Sequence, residues 1–197
     1  LTFNKMSLRL EDFAVHLPTE VISLYERLGI TELYGWQAEC LRTGVLDGSH
    51  LIYAAPTSGG KTLIAEIIIL KKVIQSRLRL KSLFVLPYVS LVEEKHKHFA
   101  RIARAYNRNQ DLSDKIRVEA FFGDKPILEH NLKKAHIIIC TIEKAARVLN
   151  SLIGCQMINK LGCVVIDEIH TMGYDFNGFH IETILSKIKF LLQSKNH

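Results

Sequence analysis

The sequence predicts an α/β domain built on a mostly parallel sheet with helices on both faces. Two observations carry that reading. Five short β-type runs recur along the 197 residues, at Leu51–Ala55, Ser82–Leu86, Ile116–Phe122, His136–Cys140 and Leu161–Ile166. A helix-length segment separates each run from the next, and strands joined by such crossovers lie parallel, with right-handed connections and both faces covered. In sheets of this kind ligands gather beyond the carboxyl ends of the strands, so the residues just after each run are where chemistry belongs.

The elements follow in order. Residues 1–19 mix apolar and polar side chains without a clear period. Leu17-Pro18 precedes a helix start at Thr19, with Glu20 in the first turn, and Val21, Leu24, Tyr25 and Leu28 recur at helical spacing until Gly29. A second helix near Tyr34 carries Trp36, Gln37, Cys40 and Leu41 up to Gly44, and Gly48 introduces the run Leu51–Ala55. A long helix follows Lys61. Ser82–Leu86 is closed by Pro87, and a helix from Val89 to about Ala105 carries Lys95, Lys97, Arg101 and Arg104 on its polar side. Residues 107–115 are polar and turn-rich. Ile116–Phe122 ends at Gly123-Asp124, a short helix lies near Ile127–Lys134, and His136–Cys140 leads into a helix from Ile142 to Ile153. Leu161–Ile166 is the last strand and Ile181–Leu192 the last helix. No repeat, low-complexity tract or linker divides the chain, which reads as one domain: a helical lead-in over 1–50 and a core over 51–197.

Composition sets outer bounds. With 48% hydrophobic and 23% charged residues the chain reads as globular. Cys40, Cys140, Cys155 and Cys163 have no Cys-x-x-Cys spacing, so they read as reduced, buried cysteines, and no structural zinc is expected. His96 and His98 stand at i and i+2, which do not share a helix face, so a solvated helix accounts for them better than a metal pair. No run reaches the roughly 18 apolar residues of a membrane span, and no signal-peptide layout opens the chain. The expectation is a cytosolic or nuclear protein without a membrane partner. A formal net charge of +6 favours polyanionic partners.

The first chemistry lies after Leu51–Ala55. Ala55-Pro56-Thr57-Ser58-Gly59-Gly60-Lys61-Thr62 is a small-residue turn running into a long apolar helix. Backbone N–H groups and the positive end of the helix dipole then converge on one anion, with Lys61 reaching the β and γ phosphates of a nucleotide and Thr62 ligating Mg²⁺. The phosphate-loop pattern asks for glycine where Ala55 stands, and alanine fits there only with a negative φ. The plainer account is an ordinary turn with a solvated lysine, yet a lysine in a first helical turn is disfavoured unless an anion sits beside it.

The second lies after Leu161–Ile166, where the apolar strand terminates in Asp167-Glu168-Ile169-His170. Two carboxylates at the ligand edge of a sheet are costly without a cation, so Asp167 is read as a Mg²⁺ ligand opposite Thr62 and Glu168 as the general base for water. The plainer account is a helix cap with a first-turn acid. The conjunction of loop and acidic pair in one α/β chain is what points to ATP hydrolysis.

Both motifs together resemble motifs I and II of superfamily 2 helicases, in the Ski2-like DExH branch, and most closely its HELQ-type and polymerase-theta-type members. The resemblance runs from about residue 17 onward and implies a RecA-like P-loop fold, in a branch where the alanine-first loop is usual. Tyr34-Gly35-Trp36-Gln37 resembles the branch's Q motif, which implies that Gln37 reads adenine; from chemistry alone a surface glutamine would be the better account. Pro56, Thr57, Ser58, Gly59, Gly60, Lys61, Thr62, Asp167 and Glu168 are the implied nucleotide-binding set. Leu86-Pro87-Tyr88-Val89-Ser90 resembles motif Ia, and Cys140-Thr141-Ile142-Glu143-Lys144 the Thr-x-Glu motif. Pro87, Tyr88, Ser90, Gly123, Thr141 and Glu143 are accordingly placed on the path of single-stranded nucleic acid. Asn177 stands where relatives often carry arginine. The sequence ends before a Ser-Ala-Thr motif III and a second RecA-like domain, which the resemblance implies as partner and source of the arginine finger. The implied function is an ATP-dependent, 3'-5' type DNA helicase of DNA repair in the nucleus, using ATP and Mg²⁺. An RNA helicase of the same branch, or a nucleotide-binding fragment without turnover of its own, is the alternative.

Overall fold

A computed structural model describes residues 8–10, 17–56, 59–171 and 176–193. The elements in order are β1 (Leu8–Arg9), α1 (Thr19–Arg27), β2 (Glu32–Leu33), α2 (Gly35–Arg42), α3 (Lys61–Gln75), β3 (Lys81–Leu86), α4 (Val89–Asn107), β4 (Val118–Phe121), α5 (Glu129–Lys134), β5 (Ile137–Thr141), α6 (Ile142–Gly154), β6 (Leu161–Ile166) and α7 (Phe176–Gln193). Backbone contacts group them into two compact units, the first formed by Leu1–Leu80 with Arg101–Ile116 and the second by Lys81–Ala100 with Arg117–His197.

In the first unit, α1 buries Val21, Ile22, Leu24 and Tyr25, the spacing that makes one apolar face, and Gly29 closes it with a φ of +81°. The α3 sequence is apolar on most sides, and Ile64, Ile67, Ile69 and Leu70 have no exposed surface. Tyr25 Oη donates to Glu66 Oε2 at 3.0 Å, so the one carboxylate buried on α3 has a donor. Burial first, and the Glu66 charge second, hold the Tyr25 hydroxyl well above its usual range, which keeps it a donor. Asn107 closes the polar loop after α4: its Oδ1 accepts from the Ile116 N–H at 2.8 Å and its Nδ2 donates to the Ile116 carbonyl at 2.9 Å.

Leu51–Ala55 carries no strand ladder, contrary to the sequence reading. The run is extended, but Ile52 is 83% exposed, and side chains anchor it: Tyr53 Oη donates to the Lys61 carbonyl at 2.8 Å, and the Tyr53 ring packs 6.2 Å from that of Trp36. The antiparallel pair β1–β2 is the reverse case, present with no period to announce it, because two-residue strands are too short to show one.

The second unit is the parallel sheet β4-β5-β3-β6. Its central strands, β3 and β5, are buried throughout; β5 and the 83–86 part of β3 are the apolar or β-branched runs a covered parallel sheet demands, and Lys81 and Ser82 open β3 as buried polar residues. Ile142, Ala145, Val148, Leu149 and Leu152 make the buried face of α6, and Ile181 and Ile184 of α7 join the same core. α7 begins at Phe176, five residues before the reading from periodicity. The cysteines are all free, and only Cys140 is fully buried; the other three are half-buried.

At the amino edge of this sheet the Lys81 ammonium, 3% exposed, donates to the carbonyls of Lys133 and Ala135 at the end of α5. His136 Nδ1 accepts from the Arg117 N–H at 3.1 Å. Burial, then the charges of Lys81 and Arg117, push the His136 pKa down to about 4. The folded protein therefore excludes a proton that the unfolded chain binds below its ordinary pKa of about 6.5. This contribution is complete above pH 6.5 and is lost as pH falls toward 4. Allowing for solvent at a half-buried ring, it amounts to about 1–2 kcal/mol. Urea denaturation at pH 7 and pH 5 measures it: His136→Asn, which keeps an acceptor, should flatten the difference, and parallel pH profiles would contradict the assignment.

Candidate functional site

In the first unit the turn before α3 is shaped by its glycines. Gly60 is the N-cap with φ +77° and ψ +26°, and a Cβ there would lie 2.6 Å from Gln37 Nε2. A Cβ on Gly59 would lie 2.9 Å from the Pro56 carbonyl, which accepts the Gly59 N–H at 3.0 Å. Neither position has room for a side chain. Ala55 is absent from the positive-φ residues, so the condition under which alanine can open such a loop is met. Lys61 Nζ donates to the Ala55 carbonyl at 2.8 Å, so the ammonium is held across the loop. Thr62 is half-buried in the first turn of α3. Thr57 and Ser58 lie outside the described residues.

Gln37 corrects the reading from chemistry alone. It is 2% exposed, its Oε1 accepts the Tyr34 N–H at 2.8 Å as the capping box of α2, and its Nε2 donates to the Gly60 carbonyl at 2.9 Å. One N–H and one lone pair of the amide remain after these bonds. Beside it the Tyr34 ring is 63% exposed. The sequence did not announce Tyr53, whose hydroxyl fixes the Lys61 carbonyl; an aromatic residue in a run that otherwise ends in small side chains was the available signal.

These contacts predict the behaviour of Gly60→Ala. Left-handed backbone costs a non-glycine residue about 1–2 kcal/mol, and the displaced Gln37 amide adds to it. A double-mutant cycle with Gln37→Ala, read from denaturant midpoints, should show that removing Gln37 recovers part of the loss. Zero coupling would mean that Gln37 is not what meets the new methyl group.

In the second unit the four strands are parallel, so their carboxyl ends share one edge. The β6 end is locked there: the Asp167 N–H donates to the Val85 carbonyl of β3 at 3.0 Å, one bond beyond the strand. Glu168 then turns out of the sheet with φ +54°, a left-handed conformation costly for glutamate, and its N–H donates to Asp167 Oδ1 at 3.0 Å. Oδ2 of Asp167 has no partner among the described residues. Glu168 Oε2 lies 3.1 Å from His170 Nδ1, with the two side chains 38% and 77% exposed.

The other residues read as a nucleic-acid path lie along the same edge, unevenly presented. Tyr88 is 64% exposed after β3, Ser90 is exposed in the first turn of α4, Gly123 follows β4 with φ +51° and open space about it, and Glu143 is exposed at the start of α6. Pro87 and Thr141 are buried, Thr141 at 3%, so they shape this edge without presenting their side chains to it. Two cations stand here: Lys125, which the reading passed over, has its Nζ 5.6 Å from the Phe121 ring centroid, and Lys144, the last residue of the Thr-x-Glu stretch, donates from Nζ to the Lys125 carbonyl at 3.2 Å. The Gly-Asp-Lys turn after β4 was the signal for Lys125.

The DEAD/DEAH box helicase family profile matches residues 34–197. Among curated relatives, DNA polymerase theta of Mus musculus is 38% identical over 89% of the chain and 6% of its own length. Helicase POLQ-like of Homo sapiens is 39% identical over 88% of the chain and 15% of its own length. The ATP-dependent DNA helicase Hel308 of Methanocella arvoryzae is 32% identical over 89% of the chain and 22% of its own length. The chain thus spans a minor part of each relative. Among solved structures, the DUF1998 helicase MrfA superposes with a TM-score of 0.70 at 22% identity, over 88% of the chain and 27% of that structure. At that identity the likeness concerns the fold, and it agrees with the α/β architecture with a parallel sheet.

Proposed function

The chain belongs to the DEAD/DEAH box helicase family, and on that premise we propose that it is the first RecA-like domain of an ATP-dependent DNA helicase. In this reading residues 1–50 are the helical lead-in and 51–197 the core of a single domain. The observation that carries it is the turn in which Gly59 and Gly60 admit no Cβ while Lys61 spans the loop, the backbone a polyphosphate requires. Pro56, Thr57, Ser58, Gly59 and Gly60 cradle the phosphates, Lys61 neutralises them, and Gln37 reads adenine with the N–H and lone pair left to its amide.

Each unit offers a ligand type that suits a hard cation, the Thr62 hydroxyl in the first and the Asp167 carboxylate in the second, whose Oδ2 has no partner among the described residues; these are the residues that would hold Mg²⁺. When bound, the ion neutralises charge on the transferring phosphate. Glu168 accepts the proton of the attacking water, and His170 holds its carboxylate in place. Single-stranded DNA runs along the carboxyl edge, contacted by Tyr88, Ser90, Gly123 and Glu143, while the buried Pro87 and Thr141 shape the edge from beneath; contacts to the DNA backbone dominate because translocation is indifferent to sequence. The reading places the parent protein in DNA repair in the nucleus, of 3'-5' polarity, with a second RecA-like domain supplying the arginine finger. The names of the relatives support DNA over RNA as substrate.

A steady-state ATPase assay of the parent protein, with and without single strands, tests it. Stimulation by DNA above that by matched RNA is expected. Preference for RNA would move the protein to the RNA-acting members, and absence of turnover in the intact protein would reduce it to a nucleotide-binding module.

A further inference from the structure

We propose that the groove between the short 3₁₀ turn Val45–Asp47 and α3 binds a phosphate-class oxyanion at a site separate from the phosphate loop. The inference starts from a buried ammonium group that lacks hydrogen bonds. The Lys71 side chain is 4% exposed, and among the described residues its Nζ has one charged neighbour, Asp47 Oδ1 at 3.8 Å. That separation exceeds hydrogen-bond reach, so no described residue satisfies its three N–H donors, a condition native structures avoid unless water or an ion completes the site. Asp47 compensates poorly, because its own side chain is 87% exposed and its carboxylate is solvated.

The ammonium borders a cavity of about 260 Å³ that Lys72, Gln75, Ile68 and Asp47 also line. This space is several times the roughly 30 Å³ that one water occupies in the liquid, enough for an oxyanion with its waters. Ile68, Lys71, Lys72 and Gln75 stand at i, i+3, i+4 and i+7, one face of α3, so two lysines and a glutamine line the opening together. Against them stands a single carboxylate. The charge balance therefore selects an anion, and the mixture of ammonium and amide donors suits the several acceptor oxygens of a phosphate. Lys71 follows Lys61 by ten residues on the same helix, about 15 Å along its axis, so one phosphate group cannot serve both sites. The oxyanion is either free phosphate or a phosphodiester of nucleic acid. The site stands whether or not the chain hydrolyses ATP.

The test uses the 197-residue chain with Lys61→Ala, which removes phosphate binding at the loop. Inorganic phosphate, titrated against chloride at constant ionic strength, should still raise the thermal midpoint of this variant. Adding Lys71→Met should abolish that rise. Adding Asp47→Asn instead, a change at an exposed side chain that the fold tolerates, should strengthen phosphate binding severalfold by removing the competing carboxylate. A thymidine oligonucleotide without terminal phosphate is the second probe. A midpoint rise that Asp47→Asn enlarges would assign a phosphodiester, and a rise with inorganic phosphate alone would assign the free ion. Loss of all phosphate-linked stabilisation in Lys61→Ala, or an Asp47→Asn response equal to its parent's, would overturn the site and leave Lys71 satisfied by water. Should the Lys71→Met protein fail to fold, the Asp47→Asn arm decides.

Discussion

On the proposed reading, Glu168→Gln in the intact protein is expected to bind ATP as tightly as wild type and to hydrolyse it on the order of 10²- to 10⁴-fold more slowly, the usual worth of a positioned general base. At about 1.4 kcal/mol per decade this is roughly 3–6 kcal/mol of lost transition-state stabilisation. The substitution isolates one property. Glutamine keeps the length of the side chain, and an amide oxygen can still meet His170, but it cannot take a proton from water. The backbone at 168 is left-handed with either residue, so its strain is unchanged. The Glu168 N–H bond to Asp167 Oδ1 belongs to the main chain and also survives. Single-turnover hydrolysis beside a fluorescent-nucleotide titration reads the two effects apart. Loss of binding would make Glu168 a structural member of the strand end, and undiminished hydrolysis would assign the base elsewhere.

What the sequence could and could not disclose follows from the range of the forces involved. Gly59, Gly60 and Lys61 were legible because a tight turn into a helix leaves a local mark, and the structure finds no room for a Cβ at either glycine. The strand ending in Asp167-Glu168 was legible because a continuous apolar run stopping at charges has few other uses. Gln37 was not, since its partner Gly60 is 23 positions away and nothing near Gln37 shows that its amide is buried. The run Leu51–Ala55 misled for the opposite reason. Its composition suits a strand, yet pairing is a property of neighbours, and here Tyr53 and Trp36 anchor the segment through side chains. Thr141 shows the same limit at the other edge: its motif was recognisable, but its burial depends on the packing of β5 and α6.

Lys61→Ala is expected to weaken ATP binding by about 10²- to 10⁴-fold, because hydrogen bonds from a charged donor are worth about 1.5–3 kcal/mol each and, among the described residues, only the Ala55 carbonyl takes one of its three N–H groups. Its effect on folding should be small by comparison. Truncation leaves the Ala55 carbonyl without its ammonium partner, but Ala55 is half-buried, so water can replace the donor at about 1 kcal/mol. Tyr53 still holds the Lys61 main-chain carbonyl, and Gln37 still holds that of Gly60, so the turn keeps its shape. The variant should therefore unfold near the wild-type denaturant midpoint while nucleotide titration and ATP turnover collapse. Lys61→Arg sharpens the test. A planar guanidinium has a different reach from an ammonium on a flexible stem, so arginine should recover little turnover even though the charge is restored. Wild-type turnover from Lys61→Ala in the parent protein would refute the phosphate-loop assignment, and a collapse of folding alongside binding would recast Lys61 as a strut of the loop.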